Sequence, residues 1–449
     1  MSDPAYHRHE TRHFPPGFLW GIATAAHQVE GGNDKNDWSR WERVPGRIQD
    51  GSVSGLVIDH WHRYEADLDL CQELGNNAHR LSVEWSRLEP EEGRWDGESF
   101  LHYADVLRAA HARGLKVMLT IWHFTLPTWF ADLGGWESPR ALELYIRFVR
   151  EVARRLGDQV DFWCTMNEPN VYVSQGYLSG AWPPGVKAIV RSQLVALKLA
   201  KAHRLAYRAL HEELDSPEQA FRAQVGLAQN VLSIEAYDQH SVLDWIGVQV
   251  IDFWWNHLYH TLTRGCHDFL GLNYYFHFRL KRFNWPPTSF FVEVRRERRD
   301  TSDVGWELNP AGIFRVLKDF ERYHLPIYIT ENGLPSQNDD RRKRLIVATL
   351  KETYHAINSG VDVRGYFFWS LADNFEWEKG YVAKFGLCAI EPVTLNRIPR
   401  GSFSVYREIC RANGLPHEML RYIGHAVDQP YEPLATGVHA QPDDEHPKP

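Results

Sequence analysis

Two glutamates have the surroundings that chemistry needs. Glu168 closes the stretch DFWCTMNEPN and Glu331 closes PIYITENG, each after a short apolar, β-branched run, and Asn167 directly precedes the first. Other runs of the same kind also end in polar or aromatic groups: Gln28 in AAHQVEGG, Arg80 in HRLSVEW, His123 in TIWHF, and Asn273 with Tyr275 in GLNYY. The last run ends at Trp369, with Asp373, Glu376 and Trp377 following in FFWSLADNFEW. Two carboxyl groups facing one another across a mouth of aromatic and amide groups meet the requirement for glycoside hydrolysis. One protonates the leaving oxygen, and the other attacks or stabilises the anomeric carbon. Asn167 can bond a sugar hydroxyl, the 2-OH being the one whose contacts strengthen in the transition state. Arg80 and Tyr275 can both hydrogen-bond Glu331 and hold it ionised. Any one of these residues alone reads as a buried structural polar group; their arrival at the ends of separate strands is what speaks for a site.

The elements that must position them alternate. Strand patterns fall at residues 18–26, 78–85, 116–124, 161–167, 224–232, 268–275, 326–331 and 363–371, with helical patterns between them at 60–74, 99–113, 139–156, 186–214, 309–323 and 341–359. Gly75, Gly114, Gly157 and Gly360 follow four of these, where a helix C-cap favours positive φ. Eight strands alternating with helices, over more than the roughly 250 residues of a minimal version, predict an α/β fold, a single (β/α)8 barrel with elaborated βα loops. In such a barrel reactive groups cluster at the C-terminal strand ends, which is where the residues above fall. A doubly wound open sheet is the competing architecture, but no GxGxxG or GxxxxGK[ST] turn follows the first strand. We read residues 1–449 as one domain, with about 425–449 a loosely attached tail and 282–304, with its RRERRD run, a solvated loop.

Composition excludes other classes. A chain of 449 residues with 43% hydrophobic side chains is neither a peptide hormone nor a disulfide miniprotein. Its formal charge of −8 disfavours nucleic-acid and anionic-membrane partners. Five scattered cysteines without a CxxC pair fit a reducing compartment. The N-terminus has no apolar h-region and no apolar run approaches the roughly 20 residues of a membrane span, so a cytoplasmic location is expected. Aromatic residues make up 13% of the chain and 18 of them are Trp, which supplies flat faces for a pyranose to pack on, or else an aromatic-rich core.

The motifs FLWGIATAAHQVEGG, NEP at 167–169, NYY at 273–275, ITENG at 329–333 and WSLADNFEW at 369–377 resemble those of glycoside hydrolase family 1, the β-glucosidase and β-glycosidase family of (β/α)8 barrels. The resemblance runs from about Phe14 to Tyr406. It implies that Glu168 is the acid/base and Glu331 the nucleophile, acting by double displacement with retention, which places the carboxyl groups roughly 5 to 5.5 Å apart. It implies hydroxyl-binding roles for Gln28, His123, Asn167, Glu376 and Trp377, a sugar platform at Trp369, and a shell around the nucleophile of Arg80, Asn273 and Tyr275. Where many members carry Trp two residues after the acid/base this chain has Asn170, which predicts a more polar aglycone wall, with Trp306 as the remaining platform. Members acting on 6-phosphorylated sugars replace the Glu and Trp of the last motif; with Glu376 and Trp377 present, an unphosphorylated hexoside is expected, gluco or galacto.

The implied partners are small-molecule β-glycosides and short oligosaccharides, with no cofactor, no metal, no nucleic acid and no membrane. Two other readings compete. One is a carbohydrate-binding barrel without catalysis, which normally lacks one of the two glutamates. The other is a metal-dependent hydrolase using His60 and His62, whose i, i+2 spacing at a helix start points them apart. His7, His9 and His13 are too irregular for a metal site, and Cys164 reads as a small buried hydrophobe. Glu84 reads as a structural or rim carboxylate, Glu89 as a surface-loop residue, and Asp373 as a support for the loop carrying Glu376.

Overall fold

The computed structural model describes residues 10–215, 222–280 and 301–424. Eight parallel strands close on themselves in chain order: β1 (Leu19–Ala23), β2 (Ala78–Ser82), β3 (Lys116–Trp122), β4 (Phe162–Asn167), β5 (Val225–Ala236), β6 (Phe269–Leu280), β7 (Ile327–Asn332) and β8 (Val363–Trp369). β8 pairs back onto β1, with Leu19 opposite Gly365 and Ala23 opposite Trp369. A helix follows each strand: α1 (His60–Glu73), α2 (Gly97–Ala112), α3 (Ala141–Leu156), α4 (Ile189–Leu214), α5 (Val242–Asp252), α6 (Gly312–Phe320), α7 (Asp339–Asn358) and α8 (Gly401–Ala412). The fold is the expected (β/α)8 barrel. Its strands are apolar runs rather than alternating ones because both faces are covered; in β3, KVMLTIW, only Lys116 is exposed. The helices are amphipathic instead. In α3, Leu144, Tyr145, Phe148, Val149 and Val152 are buried at three- and four-residue spacings, while Arg154 and Arg155 in the last turn suit the negative helix end.

The differences from the sequence reading lie at the boundaries. β1 stops at Ala23, and residues Ala26–Val29 form a helical turn that carries Gln28. β2 stops at Ser82, because Glu84 caps a short helix that opens at Trp85 and accepts from Ser86 N. β5 and β6 run on as a paired ribbon to Ala236 and Leu280. Helices α5 and α8, not assigned from the sequence, complete the alternation. Gly75, Gly114 and Gly360 take positive φ as expected, but Gly157 is αR. It is small for another reason: a Cβ there would lie 2.3 Å from Leu214 Cδ2.

All five cysteines are free and buried. Burial pushes the thiols of Cys71, Cys164, Cys388 and Cys410 above their ordinary range. Among the described residues no helix is long and apolar enough to cross a membrane. His7, His9, residues 282–300 of the charged loop and the 425–449 tail lie outside the described residues.

Candidate active site

Glu168 and Glu331 both sit at C-terminal strand ends and line one cavity of about 580 Å³, within the ~300–1,000 Å³ of small-molecule sites. A more open surface groove beside Trp95 and Arg155 contains neither carboxylate. Glu168 is turned inward by its backbone. The β4–β5 register shifts between Cys164 and Asn167, and Glu168 takes φ 41° and ψ 58° before the short helix Pro169–Val173. Phe124 and Trp377, also at the cavity, have positive φ as well. Such conformations cost about 1–3 kcal/mol each and cluster at functional sites.

The two carboxyl groups are held differently. Both oxygens of Glu331 accept strong donors: Arg80 Nη1 at 2.5 Å from Oε1 and Tyr275 Oη at 2.7 Å from Oε2. Among the described residues Glu168 Oε1 accepts only from amides, Asn273 Nδ2 at 2.9 Å and Asn230 Nδ2 at 3.1 Å. Burial, and then the nearby charge of Glu331, push the Glu168 carboxyl up to about 8, against the lowering influence of those two amides. One amide oxygen joins the halves. Asn167 Oδ1 accepts from Arg80 Nη2 at 2.7 Å and from Asn273 Nδ2 at 3.1 Å. A continuous path of hydrogen bonds thus runs from Glu331 through Arg80, Asn167 and Asn273 to Glu168. Asn273 stands opposite Glu331 in the β6–β7 register, but its side chain bonds Glu168: its Oδ1 accepts from Thr330 Oγ1 and its amide nitrogen faces β4.

The rest of the wall offers unsatisfied polar atoms beside flat rings. Gln28 Nε2 donates to Phe375 O at 2.9 Å and to Glu376 Oε2 at 3.1 Å, and its buried Oε1 has no partner among the described residues. His123 Nε2 accepts from Asn167 Nδ2 at 3.1 Å, and its Nδ1 has no partner among the described residues. Burial, reinforced by Arg80, pushes the His123 imidazole well below its usual range, so it is neutral. The Glu376 carboxyl is pushed well up by burial, then by Glu378 and Glu331. His123 stacks between Trp369 and Trp377, each with its centroid 6.1 Å away. Trp306 and Tyr275 lie 5.9 Å apart further out along the same wall.

Asn170 does not line the cavity. Its side chain is buried and donates to Asn230 O at 2.8 Å and Trp255 O at 3.3 Å, which overturns the expected polar aglycone wall. Glu89 is fully buried, paired with Arg147 and accepting from Trp85 Nε1, so it is not a surface residue. Glu84 is structural, accepting from Thr125 and Ser86. Asp373 pairs with Arg400 and accepts from Gly386 N, away from the cavity. His60 and His62 turn to Asp67 and Asp59 respectively. Asp252, His257 and Asp319 have ligand-type atoms within 4.8 Å of one another, but none of the three lines the cavity. Asn230, Trp182, Trp255 and Glu378 do line it and were not singled out from the sequence. Asn230 lies within β5, the one strand for which no site residue was named; Trp182 and Trp255 come from segments between strands.

A closed parallel barrel whose strand ends bring one neutral and one doubly bonded carboxyl group to an aromatic-walled cavity is the architecture of a glycoside-cleaving hydrolase. The family model described as glycosyl hydrolase family 1 matches residues 10–265 and 256–415. A β-galactosidase of Pyrococcus woesei is 30% identical, over 91% of this chain and all of that one. A β-glycosidase structure from Pyrococcus horikoshii superposes with a TM-score of 0.85 at 34% identity, covering 93% of this chain and 99% of the other. A β-glucosidase structure from Thermotoga maritima in complex with glucoimidazole gives 0.83 at 28%, covering 90% and 100%. The chain belongs to glycosyl hydrolase family 1, and it is a hydrolase.

Proposed function

We propose that this chain is a retaining β-glycosidase. It removes the terminal non-reducing β-D-glucosyl residue, and also galactosyl or fucosyl residues, from β-glycosides and short oligosaccharides. The observation that carries this reading is the contrast between the glutamates: Glu331 bonded by a guanidinium and a phenol, Glu168 held by amides with its proton retained to about pH 8. Glu331 attacks the anomeric carbon while Glu168 gives its proton to the departing oxygen, and an oxocarbenium-like transition state leads to a glycosyl ester on Glu331. Esterification removes the negative charge that helped keep Glu168 protonated. Glu168 then ionises, takes a proton from water, and the water displaces Glu331 from the sugar.

Asn167, His123, Gln28, Glu376 and Trp377 are assigned to the sugar hydroxyls and Trp369 to the platform beneath the ring. Gln28 Oε1 can accept a hydroxyl proton and His123 Nδ1–H can donate to a hydroxyl oxygen, which suits either 4-OH configuration. The buried Glu376 carboxyl leaves no welcome for a 6-phosphate, so the substrate is an unphosphorylated sugar. The names of the relatives, β-glucosidase and β-galactosidase, agree with that breadth. Trp306 and Trp255 form the aglycone side. The five buried, unpaired cysteines support a reducing, cytoplasmic setting. Proton NMR of aryl β-glucoside hydrolysis tests the mechanism: β-glucose is expected as the first product, and first formation of the α-anomer overturns it.

A further inference from the structure

Trp255 reaches Glu168 through one amide. It sits in a short π-helical segment, Phe253–His257, that follows α5, and π-turns of this kind recur at functional sites. Buried side chains staple the segment to β5. Gln229 Nε2 donates to Trp255 O at 2.6 Å and to Asn256 O at 2.9 Å. Asn256 Oδ1 accepts from Leu232 N and its Nδ2 donates to Leu232 O, both at 2.9 Å. Asn170 Nδ2, donating to Asn230 O and Trp255 O, ties the same segment to the turn that carries Glu168. These contacts fix the backbone from which the indole is aimed into the cavity wall. There its Nε1–H donates to Asn230 Oδ1 at 3.2 Å, and Asn230 Nδ2 donates to Glu168 Oε1 at 3.1 Å.

An indole N–H only donates, whereas a side-chain amide has a donating and an accepting end. Trp255 therefore decides how Asn230 faces, with its oxygen to the indole and its nitrogen to Glu168. With Asn273 Nδ2 as the second donor, both lone pairs of Oε1 are engaged, which leaves the acid proton on Oε2. A reversed Asn230 would accept that proton on its carbonyl oxygen. It would hold the proton back from the leaving oxygen and favour the neutral acid over the ionised form that the second step needs. We propose that Trp255 is a positioning residue: through Asn230 it keeps the Glu168 proton on the oxygen that delivers it. This rests on the acid/base role of Glu168. In the first step the proton passes from Oε2 to the glycosidic oxygen, whose bond to the anomeric carbon breaks as Glu331 forms the new one.

Trp255→Phe keeps a ring in the wall and deletes the N–H. The alkaline limb of kcat/KM is expected to rise by about one pH unit, because the ionised carboxylate loses a donor. Phenyl β-glucoside, whose leaving group needs a proton, should lose at least about tenfold in kcat/KM, and a dinitrophenyl glucoside, whose leaving group needs none, less than about threefold. Asn230→Ala should move the limb in the same direction, and adding Trp255→Phe to it should move the limb no further. An unmoved limb in Trp255→Phe, equal losses on the two substrates, or additive shifts in the double variant overturns the proposal. If Trp255→Phe does not fold, Gln229→Ala, which releases the carbonyl that aims the indole, takes its place under the same criteria. Glu168→Ala separates the two layers of the argument. A limb that survives there refutes the acid/base role itself, whereas a limb lost there but unmoved by Trp255→Phe refutes the role of Trp255 alone.

Discussion

Arg80 Nη2 donates to Asn167 Oδ1 at 2.7 Å, so the guanidinium that grips Glu331 also decides which way the Asn167 amide faces. With Oδ1 committed to Arg80 and Asn273, Nδ2 must donate to His123 Nε2, and the neutral imidazole therefore carries its proton on Nδ1. Asn167→Ala is expected to lower kcat/KM at least about a hundredfold by removing a transition-state contact together with this orientation. A 2-deoxyglucoside should lose far less to the same substitution than the parent sugar does. Equal losses on the two substrates would show that Asn167 does not serve the 2-OH.

Removing the Glu331 carboxylate removes the bond-forming group. Glu331→Gly should reduce turnover of aryl β-glucosides at least about a thousandfold, with azide restoring activity by entering the space of the lost side chain. The azide product should be the α-glycosyl azide, because a single displacement inverts; a β-azide would assign the attack elsewhere.

The pH profile reports Glu168. It must enter the first step protonated, and its folded value lies near 8, so kcat/KM should hold through neutrality and fall on an alkaline limb close to that value. Asn273→Ala deletes a hydrogen bond that favours the ionised carboxylate, so the limb should move to higher pH even as activity drops. Titrating kcat/KM for both proteins checks this, and a limb that stays in place or moves down counts against the assignment.

Glu376 should trade stability for binding. Its folded value is raised above the unfolded ~4.3, so the protonated form is the one the fold prefers. Wild-type stability from this group is therefore full below about pH 4 and declines as pH rises toward the folded value. Glu376→Gln, which carries no charge, should melt a few degrees higher than wild type at pH 8 and show no advantage at pH 4. Its kcat/KM on glucosides and galactosides should fall at least about tenfold. Melting curves at the two pH values, alongside kinetics, settle both halves.

The barrel was legible because parallel strands buried on both faces write unbroken apolar runs, and all eight were found within a few residues. The boundaries failed where such a run continued past the point at which the chain turns, as at Ala23 and Ser82. Glu168 and Glu331 were visible because a strand end is a place where a charge needs a purpose. Asn170 was misplaced because an offset of two residues carries no direction: the left-handed backbone at Glu168 sends it toward β5 rather than the mouth. Glu89 looked superficial within EPEEG, yet Arg147 from α3 and Trp85 enclose it, and no local pattern announces a partner 58 residues away. Trp182 and Trp255 belong to segments without strand periodicity, so only the folded chain brings them to the wall.

With every native thiol enclosed, the molecule is chemically silent toward maleimides and similar reagents while folded. One cysteine introduced at an exposed position, such as Glu143 on α3, becomes the sole addressable handle. A dye, a spin label or a solid support can then be attached with defined stoichiometry without first stripping the protein of its own cysteines.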